Sequence, residues 1–457
     1  MDSNANSKLM QGVTTEIGGN CGGSLFPLDA KAFLQRKKTM AEEYGLPLEW
    51  RTMSEFYKHL ENQKITHNYG SFMGNGTLRA MVMLRDDLHA DKRQLEKMKA
   101  ILRENLEAGL LGLSSGLEYA ASSYADTEEL IALCSVLAEY GKTYNTHLRN
   151  EDDRLLEAID EAIDIIQKSG CSLEIAYLKA SNPANWHKID AALERIDKAR
   201  NSGLNINADR YPYIAYSTGL IAFLPLSVRQ GSNEEITARL KDQTQHSSIS
   251  EYIDGRGKRI GGWQNVFISG VKRDTNKQFQ GKSVQETAEL LGETPYDAII
   301  QLLLAEDLQV SVVGFAMNED NLKKILAHPL VMIGSDGSAI SPEGPFGSRR
   351  PHPRGYGSFA RLLGKYCRDE KLFSWETAIK KMSSLPADKL GLKGRGRLQK
   401  GCFADIVIFD PKTVADMATF TDPHQFASGV EYVFVNGSLA VKRGVYTGSR
   451  QGSILRA

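Results

Sequence analysis

TYNTHLRNEDDRLLEAIDEAIDIIQKSGCSLEIAY, residues 143–177, decides the fold. Thr143–His147 is a strand candidate. Leu155, Ile159, Ala162 and Ile166 then recur at a spacing that puts them on one face of a helix. Ser172–Tyr177 is a second strand candidate. Strand, helix, strand is the repeating unit of a parallel sheet, because parallel neighbours need a crossover long enough to hold a helix.

The same rhythm extends in both directions. Upstream, Val13–Ile17 is a β-branched run ending in the Gly-rich turn Gly18–Gly23, and Lys92–Ala108 carries Leu95, Met98, Leu102 and Leu106 on one stripe. Leu111–Leu113 is a short apolar run. Asp126, with Glu129 three residues on, makes a box-like helix start, and Gly141 ends that helix after Tyr140. Downstream come a helix at Ile189–Ala199, a strand at Leu204–Ala208, a strand at Val310–Phe315, a helix near Asn318–Ala327 and a strand at Val331–Ile333. This many units favours a closed (β/α) barrel over an open sheet. Residues 214–304 are less periodic and predict an insertion between barrel units, a candidate lid. After Gly394 the runs Arg397–Asp410 and Glu431–Gly444, with Asn436-Gly437 and Arg443-Gly444 turns, predict a small β-domain. The expected organisation is a barrel in 1–213 and 305–393, an insertion in 214–304 and a β-domain in 394–457.

Composition narrows the class of function. The 457 residues carry 56 Lys+Arg against 56 Asp+Glu, a balance that argues against a dedicated nucleic-acid binder. No apolar run approaches the length of a membrane span. The opening MDSNANSKLMQGV has neither a basic nor an apolar signal region, and five scattered Cys make no disulfide framework. A soluble, cytoplasmic protein of a reducing compartment is the expectation.

Polar residues gather where barrel strands end, which is where barrel enzymes keep their chemistry. Cys21, His147 and Asp336 are each a donor type that binds zinc, far apart in sequence, and only a barrel could bring them together. Taken singly, Cys21 reads more readily as a buried thiol and His147 as a hydrogen-bonded loop histidine, and Asp336 fits a turn aspartate. Gly112-Leu113-Ser114-Ser115-Gly116 fits the pattern of a serine-nucleophile elbow, so a serine hydrolase using Ser114 is a second reading. Its context is wrong, because no helix follows at once. Gly281-Lys282-Ser283 lacks the earlier glycine of a phosphate loop, with Asn276 in its place. The chain has no H-E-x-x-H and no C-x-x-C, and its nine histidines contain no H-x-H pair.

GVTTEIGGNCG (12–22), LGLSSGLEY (111–119), YADTEELIAL (124–133), THLRNEDDRLLEAIDEAI (146–163), ADRYPY (208–213), MIGSDG (332–337) and HPRGYGSFARLLG (352–364) resemble the N-acyl-D-amino-acid deacylases, or D-aminoacylases, of the amidohydrolase superfamily. GRLQKGCFADIVIFDP (396–411), DPHQF (422–426) and VFVNG (433–437) match as well. The resemblance implies a distorted (β/α)8 barrel with a small β-domain, and metal-dependent hydrolysis of the amide of an N-acyl-D-amino acid. It implies zinc as cofactor, Cys21 and His147 as ligands, and Asp336 as the general base. It offers Tyr119, Lys179, Tyr211 and Ser217 as substrate-binding residues, suited to a carboxylate by an ammonium and neutral hydroxyl donors.

Two departures accompany the resemblance. Met1-Asp2-Ser3 falls just beyond the family's H-x-H, so the first barrel strand is expected to be missing. The family's next zinc histidine, in I-S-H-L-K, corresponds to Tyr177 in Ile175-Ala176-Tyr177-Leu178-Lys179. A phenol, with an ordinary pKa near 10, is a weaker donor than imidazole at neutral pH. A ligand-binding remnant without turnover is therefore the third reading.

Overall fold

A computed structural model of the chain describes residues 6–83, 88–344, 347 and 350–456. The Met1–Ser3 stretch and the start of the polar segment Asn4–Leu9 lie outside the described residues. The barrel begins with β1 (Thr15–Gly18), then β2 (Asn68–Ser71) and β3 (Met73–Gly74), which are one bent strand interrupted at Phe72. It continues through β4 (Gly112–Gly116), β5 (Thr143–His147), β6 (Ser172–Ile175) and β7 (Ile206–Arg210). Three strands then leave the barrel: β8 (Ala215–Gly219), β9 (Val266–Gly270) and β10 (Ser311–Phe315) form an antiparallel sheet in the order β8-β10-β9. The chain returns at β11 (Val331–Ile333), parallel to β7. The barrel strands all run parallel, with Gly116 opposite His147 and Asn145 opposite Glu174.

The helices obey local rules. Asp126 caps the helix Thr127–Glu139 by accepting from the Glu129 N–H. The helix Leu155–Ser169 buries Leu155, Ile159, Ala162 and Ile166, the stripe expected of it, and ends at Gly170 in the left-handed conformation. Leu133, Leu137, Ile159 and Ile166 join Leu113, Tyr144, Leu173 and Ile206 of the strands in one core outside the barrel wall.

Val310–Phe315 departs from expectation. β10 pairs antiparallel with β8 and β9 and so belongs with the inserted segment, not with the parallel barrel. Its run of Val312, Val313 and Phe315 is apolar without alternation, and such a run carries no information about its partners. The inserted region has its own core, in which Leu220, Phe223, Ile253 and Ile299 pack with Val312 of β10.

The small β-domain comprises β12 (Ile406–Phe409), β13 (Val430–Val435), β14 (Ser438–Lys442) and β15 (Val445–Tyr446), antiparallel in that order. Asn436 and Gly437 turn the β13–β14 hairpin with φ of 49° and 83°, which only a few residue types adopt at low cost. Of the expected run Arg397–Asp410, only Ile406–Phe409 is a strand. Asp405 is instead held by the Arg395 guanidinium and accepts from the Asn436 N–H at 2.9 Å, which ties the preceding loop down.

β11 and β1 are not paired with each other among the described residues. The short helix Asn6–Leu9 lies between their neighbourhoods. Lys8 Nζ reaches Ser335 Oγ beyond β11 at 2.5 Å and Glu16 Oε1 of β1 at 3.2 Å. His67 Nε2 stands 2.7 Å from the other Glu16 oxygen. Burial raises the Glu16 carboxyl, but Lys8 and His67 outweigh it and hold its pKa at about 2, below the ordinary 4.5. A depressed carboxylate contributes stability that is complete above its unfolded value and is lost as pH falls through 4.5 towards 2. The size is about 3 kcal/mol. Urea unfolding midpoints should therefore drop between neutral pH and about pH 3, and drop less in Glu16→Gln. Equal drops in the two proteins would remove Glu16 as the cause.

The opening between the two edges is part of a cavity of about 1280 Å³. Thr15–Gly18 and Met332–Ile333 line it, and it reaches Asn145, Glu174 and Asp209 on the inward faces of β5, β6 and β7. A closed barrel of this type is normally filled by branched apolar side chains. Here the inner layer is polar.

Candidate active site

The strand ends converge on one place. His147 closes β5. Cys21 lies just past β1, Tyr119 past β4, Tyr177 and Lys179 past β6, Tyr211 past β7 and Asp336 past β11. Cys21, Tyr177 and Asp336 have φ of 54°, 57° and 45°. A positive φ is uncommon outside glycine and is a genuine outlier for a bulky residue such as tyrosine. Such conformations cost about 1–3 kcal/mol each and cluster at functional sites. The β4 end approaches just as closely: a Cβ on Gly116 would stand 2.2 Å from the Cys21 carbonyl oxygen, so only glycine lets the two backbones meet.

Cys21 Sγ is 3.6 Å from His147 Nδ1 and 3.5 Å from Tyr177 Oη. With sulfur at about 2.3 Å and nitrogen or oxygen at about 2.0–2.1 Å from a tetrahedral metal, neighbouring donors stand about 3.5 Å apart. Cys21 Sγ already has that separation from both partners, and thiolate with imidazole is the donor chemistry of a borderline-soft transition metal. Burial favours the neutral His147 ring, yet Glu151, Tyr119, Cys21 and Glu118 outweigh it and hold its pKa well above the ordinary value. Burial, and after it the Asp336, Cys21 and Asp209 charges, push the Tyr177 phenol well up, so it stays protonated in these surroundings. Asp336 pairs with Arg354 Nη1 at 2.6 Å.

The large cavity adjoins a cleft of about 100 Å³. Cys21, Ser217 and Asp336 border both, Tyr177 lines the cavity, and Tyr119, His147, Lys179 and Tyr211 line the cleft. All eight residues singled out from the sequence thus surround one region. Their surroundings differ in ways the sequence does not show. Lys179 Nζ is already engaged, by the Glu151 carboxylate and by the Tyr177 carbonyl at 3.2 Å. Ser217 and Tyr216 come from β8, so the inserted segment forms one wall of the cleft, with Phe223 and Arg256 beside them.

Sequence reasoning missed Glu118, Glu151, Arg354 and Arg256. The first three stand inside the motifs LGLSSGLEY, THLRNE and HPRGYG, where their charge was the available signal. Arg256 lies on the helix His246–Arg259 and had none. Ser114 is no nucleophile elbow. It sits inside β4, fully buried, with its Oγ donating to the Gly19 carbonyl and accepting from the Gly22 N–H at 3.1 Å. Its hydroxyl braces the Cys21 turn.

A parallel barrel with a small β-domain, whose thiol and imidazole meet at the strand ends with a carboxylate on the border of the same cavity, defines a metal-dependent hydrolase of the amidohydrolase class. Residues 263–441 match the amidohydrolase family. The chain is 32% identical to the D-aminoacylase of Alcaligenes xylosoxydans xylosoxydans, over 98% of this chain and 82% of that protein. It is 32% identical to the N-acyl-D-glutamate deacylase of the same organism, over 98% of this chain and 81% of that one. The crystal structure of the Bordetella bronchiseptica N-acyl-D-glutamate deacylase, complexed with zinc and a phosphonate mimic of the tetrahedral intermediate, superposes with a TM-score of 0.83 at 30% identity, covering 100% of this chain and 85% of that one. This chain belongs to the N-acyl-D-amino-acid deacylase family of amidohydrolases. Among the described residues no helix is long and apolar enough to cross a membrane.

Proposed function

We propose that this chain hydrolyses the amide bond of N-acyl-D-amino acids, giving a D-amino acid and a carboxylate, with zinc as its metal. The observation that carries the reading is Cys21 Sγ standing at ligand spacing from both His147 Nδ1 and Tyr177 Oη, with Asp336 on the border of the same cavity. Cys21 and His147 would hold the zinc, with Tyr177 as a weak third donor. When bound, the metal supplies Lewis-acid polarisation of the acyl carbonyl and acidifies water. Asp336 takes a proton from the water that attacks the acyl carbon. It returns that proton to the nitrogen as the C–N bond breaks. Arg354 holds Asp336 in place and lies ready for a substrate carboxylate, which a guanidinium fork suits. Tyr119, Tyr211 and Ser217 line the cleft, and Lys179 fixes Glu151 behind it.

Purified protein is expected to carry zinc by elemental analysis and to release amine from N-acetyl-D-amino acids but not from their L-enantiomers. Metal far below one ion per chain, with no turnover under added zinc, would defeat the reading. Thermal stabilisation by an N-acyl-D-amino acid without product would instead mark a protein that binds and does not cleave.

A further inference from the structure

The two ring nitrogens of His147 face different company. Nδ1 looks to Cys21. Nε2 looks the other way, to Glu151 Oε2 at 3.3 Å and Glu118 Oε2 at 3.5 Å. The ring is 5% exposed, and Nε2 closes no hydrogen bond among the described residues. One nitrogen and two carboxylate oxygens lie within 4.8 Å of one another around a common centre.

Each carboxylate is held from behind by its second oxygen. Lys179 takes Glu151 Oε1, and Arg256 Nη2 stands 4.0 Å from Glu118 Oε1. The remaining oxygen of each is thereby aimed at Nε2. Tyr211, 1% exposed, lines the same cleft, and its hydroxyl has no hydrogen-bond partner among the described residues. A buried imidazole nitrogen with no aligned hydrogen bond, facing two preset carboxylate oxygens within 3.5 Å, has the donor set of a divalent-cation site.

We infer that the Nε2 side of His147 is a second divalent-cation site, held by Glu118, Glu151 and His147 and distinct from the Cys21 donor set. Its donors are one nitrogen and two hard oxygens, with no sulfur. That set suits manganese(II) and its neighbours, where the Cys21 side suits zinc. The inference uses the opposite ring nitrogen from the catalytic reading and does not rest on turnover.

The test is titration of the full-length protein with manganese(II), following the free ion by electron paramagnetic resonance. Wild type is expected to take up the ion. Glu118→Gln should weaken uptake at least about tenfold, the loss expected when a ligand shell is broken. Glu118 is partly exposed, so the variant should fold, and an unchanged thermal unfolding temperature checks it. Glu118→Asp, which keeps the charge and withdraws the oxygen, should weaken uptake too. Cys21→Ser should leave uptake within about twofold, the scatter of an unperturbed site. Cobalt(II) bound to Cys21→Ser should show its visible bands without a sulfur-to-metal charge-transfer band. No uptake by wild type, with His147 titrating as an imidazolium by NMR, overturns the inference. So does uptake lost in Cys21→Ser and unaffected by Glu118→Gln. Neither result bears on whether the Cys21 side supports hydrolysis.

Discussion

Asp336→Asn is expected to lower kcat by about a thousandfold or more, the scale of removing a proton shuttle together with its charge. The residue follows β11 with φ of 45°, a conformation aspartate and asparagine share more readily than most. Asparagine should therefore keep the backbone and lose only the proton acceptor. Zinc content should hold, since the Cys21–His147 spacing does not involve this side chain. Arg354 loses its counter-charge and is free for a substrate carboxylate, so KM should stay level or fall while kcat collapses. Steady-state kinetics with metal analysis of the same preparation decides it. Activity within tenfold of wild type would remove Asp336 from the chemistry.

Tyr177→His is expected to tighten zinc at least about tenfold, because it turns a weak oxygen donor into an imidazole. The present phenol is held protonated by burial and by the Asp336, Cys21 and Asp209 charges. It must lose a proton to bind well, whereas a neutral imidazole offers a lone pair at neutral pH. The ring already stands edge-on to His147, with centroids 5.7 Å apart, and its oxygen is 3.5 Å from Cys21 Sγ. Histidine also tolerates the positive φ of 57° at this position better than tyrosine. Competition with a zinc-sensitive dye measures the gain. No gain would show that the cavity, not the donor, limits the metal.

Several elements were legible before any coordinates. Thr143–His147 and Val331–Ile333 are strands with the limits the sequence predicts, and Asp126 caps its helix as expected. These features depend on neighbours a few residues away: helical spacing, β-branched runs and a capping side chain. The extent of the strand within Arg397–Asp410 and the sheet to which Val310–Phe315 belongs were not legible, for the opposite reason. A loop pinned by Arg395 and Asn436, and a strand whose partners are β8 and β9, are decided by residues far off in the chain.

The site divides the same way. Residue type and strand-end position were enough to mark Cys21, His147, Tyr177 and Asp336. They could not show that Lys179 is already paired with Glu151, that Arg354 holds Asp336, or that the two nitrogens of His147 serve different donors. By itself the sequence determined a repeating strand–helix barrel, its family and which side chains have the chemistry to bind a metal. Tertiary structure alone decided which of them meet, which charges are spoken for, and that the barrel's inner layer is polar around an opening between β1 and β11. Backbone periodicity is set by short-range sterics. Ligand spacing and ion pairing are set by the closure of strands that lie hundreds of residues apart.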